Sequence, residues 1–460
     1  MILLVAAKEL VRGYRLWAGS LVVIIASSAL CSAAFAQFET AALLPDAMGE
    51  SLRSMSQGIV AFGLLAAIAI TAATTNLAVA SGRRGYALLQ FAGLLPRQVT
   101  LMVLVQLVVL AVIGASIGIG VGRLLAQPLL DVTVAQTSIS SGLKVAYGGT
   151  TVARAFGLLV GIVVLAGIRA AVRAGLVPPI EALREPEPPR IRMGILRWVM
   201  TGIASLATLG LGIGIASTSP SLSLSGQPSG VSVIVSLGML FSIALTALAA
   251  FLGPVLYPLV LRAWTAVVPA QVSGAWFLAR RSCRYRITQS TAAITPLMVG
   301  IALPGAMYTL FLTAGGAVAA DGGSWEINSA SIFTVLGPAL LLAALGSAAV
   351  IFMTSRTRAR DNALVSVSGG TTFTATLSAI LEAAIYVATA LLIATAIFGT
   401  VGLAVSTAFS KAMPGTVPVY GFATALAIAV AGFVIVGIAT ALPTVIPTRR
   451  SIPNLLAAEC

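Results

Sequence analysis

The sequence predicts an all-α polytopic membrane protein of about ten transmembrane helices, and three observations carry that prediction. First, 58% of the 460 residues are apolar and only 9% charged, with a mean hydropathy of +1.04. A soluble domain is about 45–50% apolar and about 25% charged, so the chain has too little polar surface to face water all round. Second, the apolar residues come as continuous runs of Ala, Leu, Val, Ile and Gly. A helix needs roughly 20 such residues to cross about 30 Å of hydrocarbon, whereas barrel strands would alternate polar and apolar. Third, the charge is one-sided, as set out below.

In chain order the expected spans are 16–36, 57–80, 99–123, 151–172, 197–216, 231–257, 290–314, 330–353, 373–397 and 419–442. The first follows Lys8 to Arg15 and ends Ala34-Phe35-Ala36, which also fits a secretory signal with its cleavage site. Its apolar run is long and further spans follow, so it is read as an uncleaved span. In the third span Gly114, Gly118, Gly120 and Gly122 suit close helix packing in lipid. Pro254/Pro258 and Pro296/Pro304 offer bending points in the sixth and seventh. The connections are short: the outer loops at 37–56 and 124–150 are too small to bury a core of their own.

Placing the N-terminus inside puts 22 of the 27 basic residues on the cytoplasmic side, while Arg53, Arg123, Lys144, Arg154 and Lys411 remain at outer ends. Six acidic residues, Glu39, Asp46, Glu50, Asp131, Asp321 and Glu326, also fall outside. This bias puts both termini in the cytoplasm. The net charge of +14 is thereby an orientation signal, and no nucleic-acid partner is expected. The absence of His excludes a His-based triad or imidazole metal site. Cys31, Cys283 and Cys460 are too scattered for a metal site or a disulfide framework. No paired aspartates or Ser/His set stand at membrane depth, which argues against an intramembrane protease.

Residues 83–106 and 359–382 align without a gap at an offset of 276. Ala87-Leu88-Leu89 then faces Ala363-Leu364-Val365, Gly93 faces Gly369, and Gln106 faces Glu382. The segment Pro179-Ile180-Glu181-Ala182-Leu183 is echoed by Pro453-Asn454-Leu455-Leu456-Ala457. These matches predict two parallel four-span units in a 4+2+4 arrangement, not the inverted repeats of many secondary transporters. The expected divisions are an N-terminal segment 1–15, a first unit 16–172, a Pro-rich linker 173–196, connecting spans 197–262, a second unit 263–442 and a tail 443–460.

The connection after the second span runs from Ser81 to Val99. Tyr86, Leu89 and Leu94, with Ala87 and Gln90, predict a short helix with one apolar face. Gly93 is placed to end it, and Pro96 to start the next helix. Such a helix across the inner ends of two spans suits docking into a groove of a soluble partner. It equally suits an interfacial helix resting on headgroups, its arginines snorkelling.

The residues Arg84, Ala87, Leu88, Leu89, Gly93, Pro96 and Gln98 before a Gly-rich span, then Pro179, Glu181, Ala182, Leu183 and Arg184 after the fourth, resemble the FtsX-like permeases. These are the membrane subunits of ABC transporters of the MacB/LolCE and BceB type. The resemblance is strongest over 80–125 and weaker over 356–400. It implies an ATPase-contacting coupling loop at Arg84, Ala87, Leu88, Leu89, Gly93, Leu95 and Pro96, with a second at Arg360, Ala363, Leu364 and Gly369. It implies that residues 1–15, with Leu3, Leu4, Val5, Leu10 and Val11 set against Lys8, Arg12 and Arg15, lie along the inner leaflet. It also implies a cytoplasmic ABC ATPase partner in two copies, membrane lipid around the bundle, and a sensor kinase as a further partner for some members. Well-known members carry a large extracytoplasmic domain that this chain lacks.

No G-x-x-x-x-G-K-[ST] loop occurs, and Gly148-Gly149-Thr150-Thr151 lacks the Lys. The chain itself is therefore expected not to be an enzyme, with ATP and Mg held on the partner. Glu382 and Gln106 are the expected intramembrane polar positions, because a carboxylate at depth costs roughly 2.5–3.5 kcal/mol and usually marks function. Glu382 also lies about one turn from the inner interface. Thr74, Thr75 and Asn76 are expected to serve packing. The function expected is export or extraction of an amphiphile such as an antimicrobial peptide, lipid or hydrophobic drug. The alternatives are an ion-coupled carrier working through Glu382 and a non-transporting regulator of a cell-wall hydrolase or sensor kinase. Arg outnumbers Lys 24 to 3, which suits a GC-rich bacterial genome and hence a bacterial cytoplasmic membrane.

Overall fold

A computed structural model describes residues 14–135, 142–177, 194–218, 229–269, 271, 273–320, 329–367, 369–411 and 415–445. Most of the N-terminal segment, most of the Pro-rich linker and most of the C-terminal tail lie outside the described residues. Among the described residues there are twelve helices and no strand. Ten of the helices are long and apolar enough to cross a membrane.

The chain runs α1 (Tyr14–Ala41), α2 (Asp46–Ser81), α3 (Arg83–Phe91), α4 (Pro96–Val134), α5 (Gly149–Gly175), α6 (Ile195–Ser217), α7 (Ser229–Val267), α8 (Gly274–Tyr285), α9 (Ile287–Ala320), α10 (Ser329–Val367), α11 (Thr372–Phe409) and α12 (Phe422–Val445). Each expected span has its helix, most of them longer than hydropathy alone predicts. Polar and charged end residues continue the helices past their apolar centres. α7 and α9 continue through Pro254, Pro258, Pro296 and Pro304.

α8 is the element the sequence reading passes over. Its 270s and 280s look like one more basic connection, yet Ser273 accepts the Trp276 N–H at 3.0 Å and caps a two-sided helix. Trp276, Ala279 and Cys283 point inward, buried, at helical spacing. Arg280 donates to the Val268 carbonyl at 3.3 Å, and Arg284 to the Arg262 carbonyl at 3.1 Å and the Thr265 hydroxyl at 2.9 Å. These bonds fold α8 back on the end of α7. Burial, and then the charges of Arg280 and Arg262, lower the Arg284 guanidinium below its usual range.

α1 packs on α4, α2 and α5; α4 also packs on α5, and α2 on α5. The same pattern recurs with α9 on α11, α10 and α12, α11 on α12, and α10 on α12. Between the two groups, α2 lies on α10, α1 on α10 and α9 on α2. Small residues allow the closest of these crossings. A Cβ added at Gly118 would stand 2.5 Å from the Ile25 carbonyl oxygen, and one at Gly122 would collide with Ser32 of α1. Gly114 abuts Ile24, and the Ser28 hydroxyl donates to the Ala115 carbonyl at 3.0 Å. Gly120 faces open space, so three of the four expected glycines pack and the fourth does not.

The two groups also match in their turns. Gly93 and Gly369 both have left-handed backbones, at φ +99° and +88°, and α4 and α11 begin three residues after them. Gly142 and Gly415 are left-handed at φ +120° and +100°, and α5 and α12 begin seven residues after them. In the extended stretch between, the Ala146 N–H donates to the Thr40 hydroxyl at 2.9 Å. Likewise the Val419 N–H donates to the Thr313 hydroxyl at 3.2 Å.

The two groups differ in one place. α10 runs unbroken to Val367, so the residues expected as a second coupling loop follow no short helix like α3. Arg360, Ala363 and Leu364 sit in the closing turns of α10, and Gly369 in the turn that follows. The first unit breaks at Gly82; the position 276 residues on is Arg358, which favours continuing the helix.

Candidate functional site

The candidate site is the short helix α3 at the end of the bundle where the arginines gather. Gly82 ends α2 and α3 follows at once. At its far end the Leu94 N–H donates to the Leu89 carbonyl at 3.1 Å, and the Gly93 N–H to the Gln90 carbonyl at 3.0 Å. This paired closure needs a left-handed residue in the place Gly93 occupies. The chain then extends through Leu95, whose N–H donates to the Gln98 side chain at 3.0 Å, and Pro96 opens α4. The Gln90 amide donates to the Gly175 carbonyl at 3.0 Å, tying α3 to the end of α5. α3 is therefore held at both ends and along one side.

Its inner face is the one the sequence reading names. Tyr86 is 7% exposed and Ala87 fully buried, with Leu89 and Leu94 packed against the same core. The surface left for a partner is different. Leu88 and Phe91, three residues apart on α3, are 54% and 63% exposed and share one face, and Leu95, in the extended turn after Gly93, is 62% exposed. Of the expected contact residues, Leu88, Leu95, Gly93 and Pro96 are exposed. Ala87 is a packing residue with no surface to offer, and Leu89 is half-buried. The side chain of Arg84, and those of Arg360, Ala363 and Leu364, lie outside the described residues. Phe91 was missed because it stands opposite the apolar face that Tyr86, Leu89 and Leu94 define.

Replacing Gly93 with alanine is expected to cost about 1–2 kcal/mol, the penalty of a left-handed backbone on a residue with a Cβ. Hydrogen exchange over residues 83–95 should quicken accordingly, without change in the spans.

Gln106 and Glu382 are both buried, at 2% and 7% exposed, in α4 and α11. α4 packs chiefly on α1 and α5, and α11 chiefly on α9 and α12, so these equivalent positions are not brought into one site. Asn76 donates to the Ala72 carbonyl of its own helix at 2.7 Å, and Thr74 to the Ile70 carbonyl at 3.0 Å. Neither bridges helices, in keeping with local backbone satisfaction. Among the described residues no cluster of metal-ligating side chains occurs. No protein-family model matches the sequence, and no curated protein matches it at a significant level.

The sequence reading also passes over the opposite end of the bundle, where it counts Arg53, Arg123, Lys144 and Arg154 only as exceptions to the orientation rule. The signal that could have marked the place is short. Tyr147-Gly148 recurs as Tyr420-Gly421, 273 residues on.

Proposed function

We propose that the chain is the permease subunit of an ABC-type system that exports or extracts an amphiphile, and that the basic end of the bundle is cytoplasmic. The observation that carries this reading is the exposed pair Leu88 and Phe91 on a helix held between α2 and α4, with Leu95 exposed in the turn that follows. Exposed apolar side chains set among arginines suit a groove on a soluble protein. A push on α3 would travel into two spans, because α2 meets it at Gly82 and the Leu94 and Leu95 hydrogen bonds brace the turn before α4. The proposal includes two four-span units in a 4+2+4 order. The matched left-handed glycines, the matched threonine ties and the repeated packing pattern support it.

The energy source would be a separate ATPase, since the sequence has no phosphate loop. Gentle detergent purification from the source membrane should bring down a soluble P-loop protein together with ATP hydrolysis. A pure, monodisperse protein with neither would overturn the reading. The buried Glu382 favours one second reading, an ion-coupled carrier. Transport that survives ATP depletion and collapses with the proton gradient would select it.

A further inference from the structure

At the end of the bundle opposite α3, a cavity of about 570 Å³ opens between the end of α1, the start of α2 and the start of α5. Two guanidinium groups, Arg53 and Arg154, line it beside Phe38, Glu39 and Tyr147. Both arginines are solvent-exposed, and Arg53 lies over the Phe38 ring at 5.2 Å. Arg123 lies over the Tyr147 ring at 6.0 Å. Glu39 is already engaged: the Gly148 N–H donates to one oxygen at 3.2 Å and the Thr150 hydroxyl to the other. Its carboxylate is thus turned to the wall of the cavity, and the lining carries a net positive charge.

The comparison between the two units separates structure from use. In the second unit the threonine tie is kept, and Phe38 and Tyr147 have counterparts in Phe311 and Tyr420. The charges are not kept: Glu39 corresponds to Leu312, Arg123 to Gly399 and Arg154 to Ala427. The same turn folds without them, so the architecture does not need them. These arginines also defy the sidedness that governs the rest of the chain, where basic residues gather at the other end.

We infer that this cavity binds the phosphate headgroup of an anionic amphiphile drawn from the outer leaflet. Guanidinium forks match phosphate oxygens two at a time, and the volume lies within the range of small-molecule sites. Leu43, also lining the cavity, is 77% exposed and offers an acyl chain an apolar contact. The inference rests on the permease reading for its orientation and names the substrate class that reading leaves open.

The test uses the full chain in phosphatidylcholine nanodiscs, titrated with dihexanoyl phosphatidate, with dihexanoylglycerol, which lacks the phosphate, and with inorganic phosphate. Phosphatidate should bind well above the other two. R53Q and R154Q should each weaken it about ten-fold or more, the scale of a lost charge-assisted bond. R262Q, at the far end, should leave it unchanged. E39Q removes the opposing charge and should strengthen binding several-fold, an outcome that misfolding cannot mimic. Unchanged affinity in both R53Q and R154Q would overturn the site. Inorganic phosphate binding as tightly as phosphatidate would overturn the amphiphile, and equal binding of dihexanoylglycerol would overturn the phosphate. No ATPase enters the measurement, so failure here leaves the permease reading standing. Conversely, loss of ATPase association would leave this site standing.

Discussion

Changing Leu88, Phe91 and Leu95 together to aspartate should abolish association with an ATPase subunit while leaving the bundle folded. The three side chains already face solvent, so charge there removes no internal packing. Burying one such side chain in an interface is worth about 1.5–3 kcal/mol. Losing three, and having to desolvate three carboxylates instead, should weaken binding by roughly a thousand-fold or more. Unaltered co-purification of the ATPase with the triple variant would refute the coupling role and leave α3 as an interfacial helix. A87D gives the contrasting lesion. Ala87 is fully buried, so its charge would be trapped in the core and the protein itself should be lost.

The second large effect concerns the seam between α1 and α4. G118L should lower stability by about 3 kcal/mol, at the upper end of overpacking costs. The reason is that a Cβ there already meets backbone, the Ile25 carbonyl oxygen at 2.5 Å, and backbone cannot swing aside. G120L, two residues on but facing open space, should change stability little. Thermal unfolding in detergent separates the two. Equal melting behaviour would mean that α1 and α4 do not meet along this face.

The spans were legible because hydropathy is a property of composition, and twenty apolar residues leave the chain few options. The short helix α3 was legible too, since Gly93 closes it and Pro96 opens the helix that follows. Its outward face was not. An apolar stripe and an apolar core look alike in sequence, and only packing decides that Tyr86 turns in while Phe91 turns out. α8 escaped notice because Arg280, Arg281 and Arg284 mask the inward row of Trp276, Ala279 and Cys283. The weak second copy of the pattern has no counterpart of α3, because at Arg358, which aligns with Gly82, no glycine interrupts α10. The residues around Glu39 come from three distant segments, so beyond the short Tyr-Gly recurrence nothing in the sequence brings them together.

The helices that join the two groups do not sit between them evenly. α7 packs chiefly on α9 and α11, α8 on α11, and α6 on α7 and α11, whereas the matching outer face of α4 carries Val108, Val112 and Ile117 exposed. Over their most apolar stretches, 83% of α9 is buried against 61% of its counterpart α1. One half of the molecule is thus splinted and the other bare. Equal forces arriving at the basic end would meet unequal stiffness, and the bare half would yield first. On the two-unit permease reading, a push shared by both halves would then give a one-sided movement, falling on the half that holds Arg53 and Arg154.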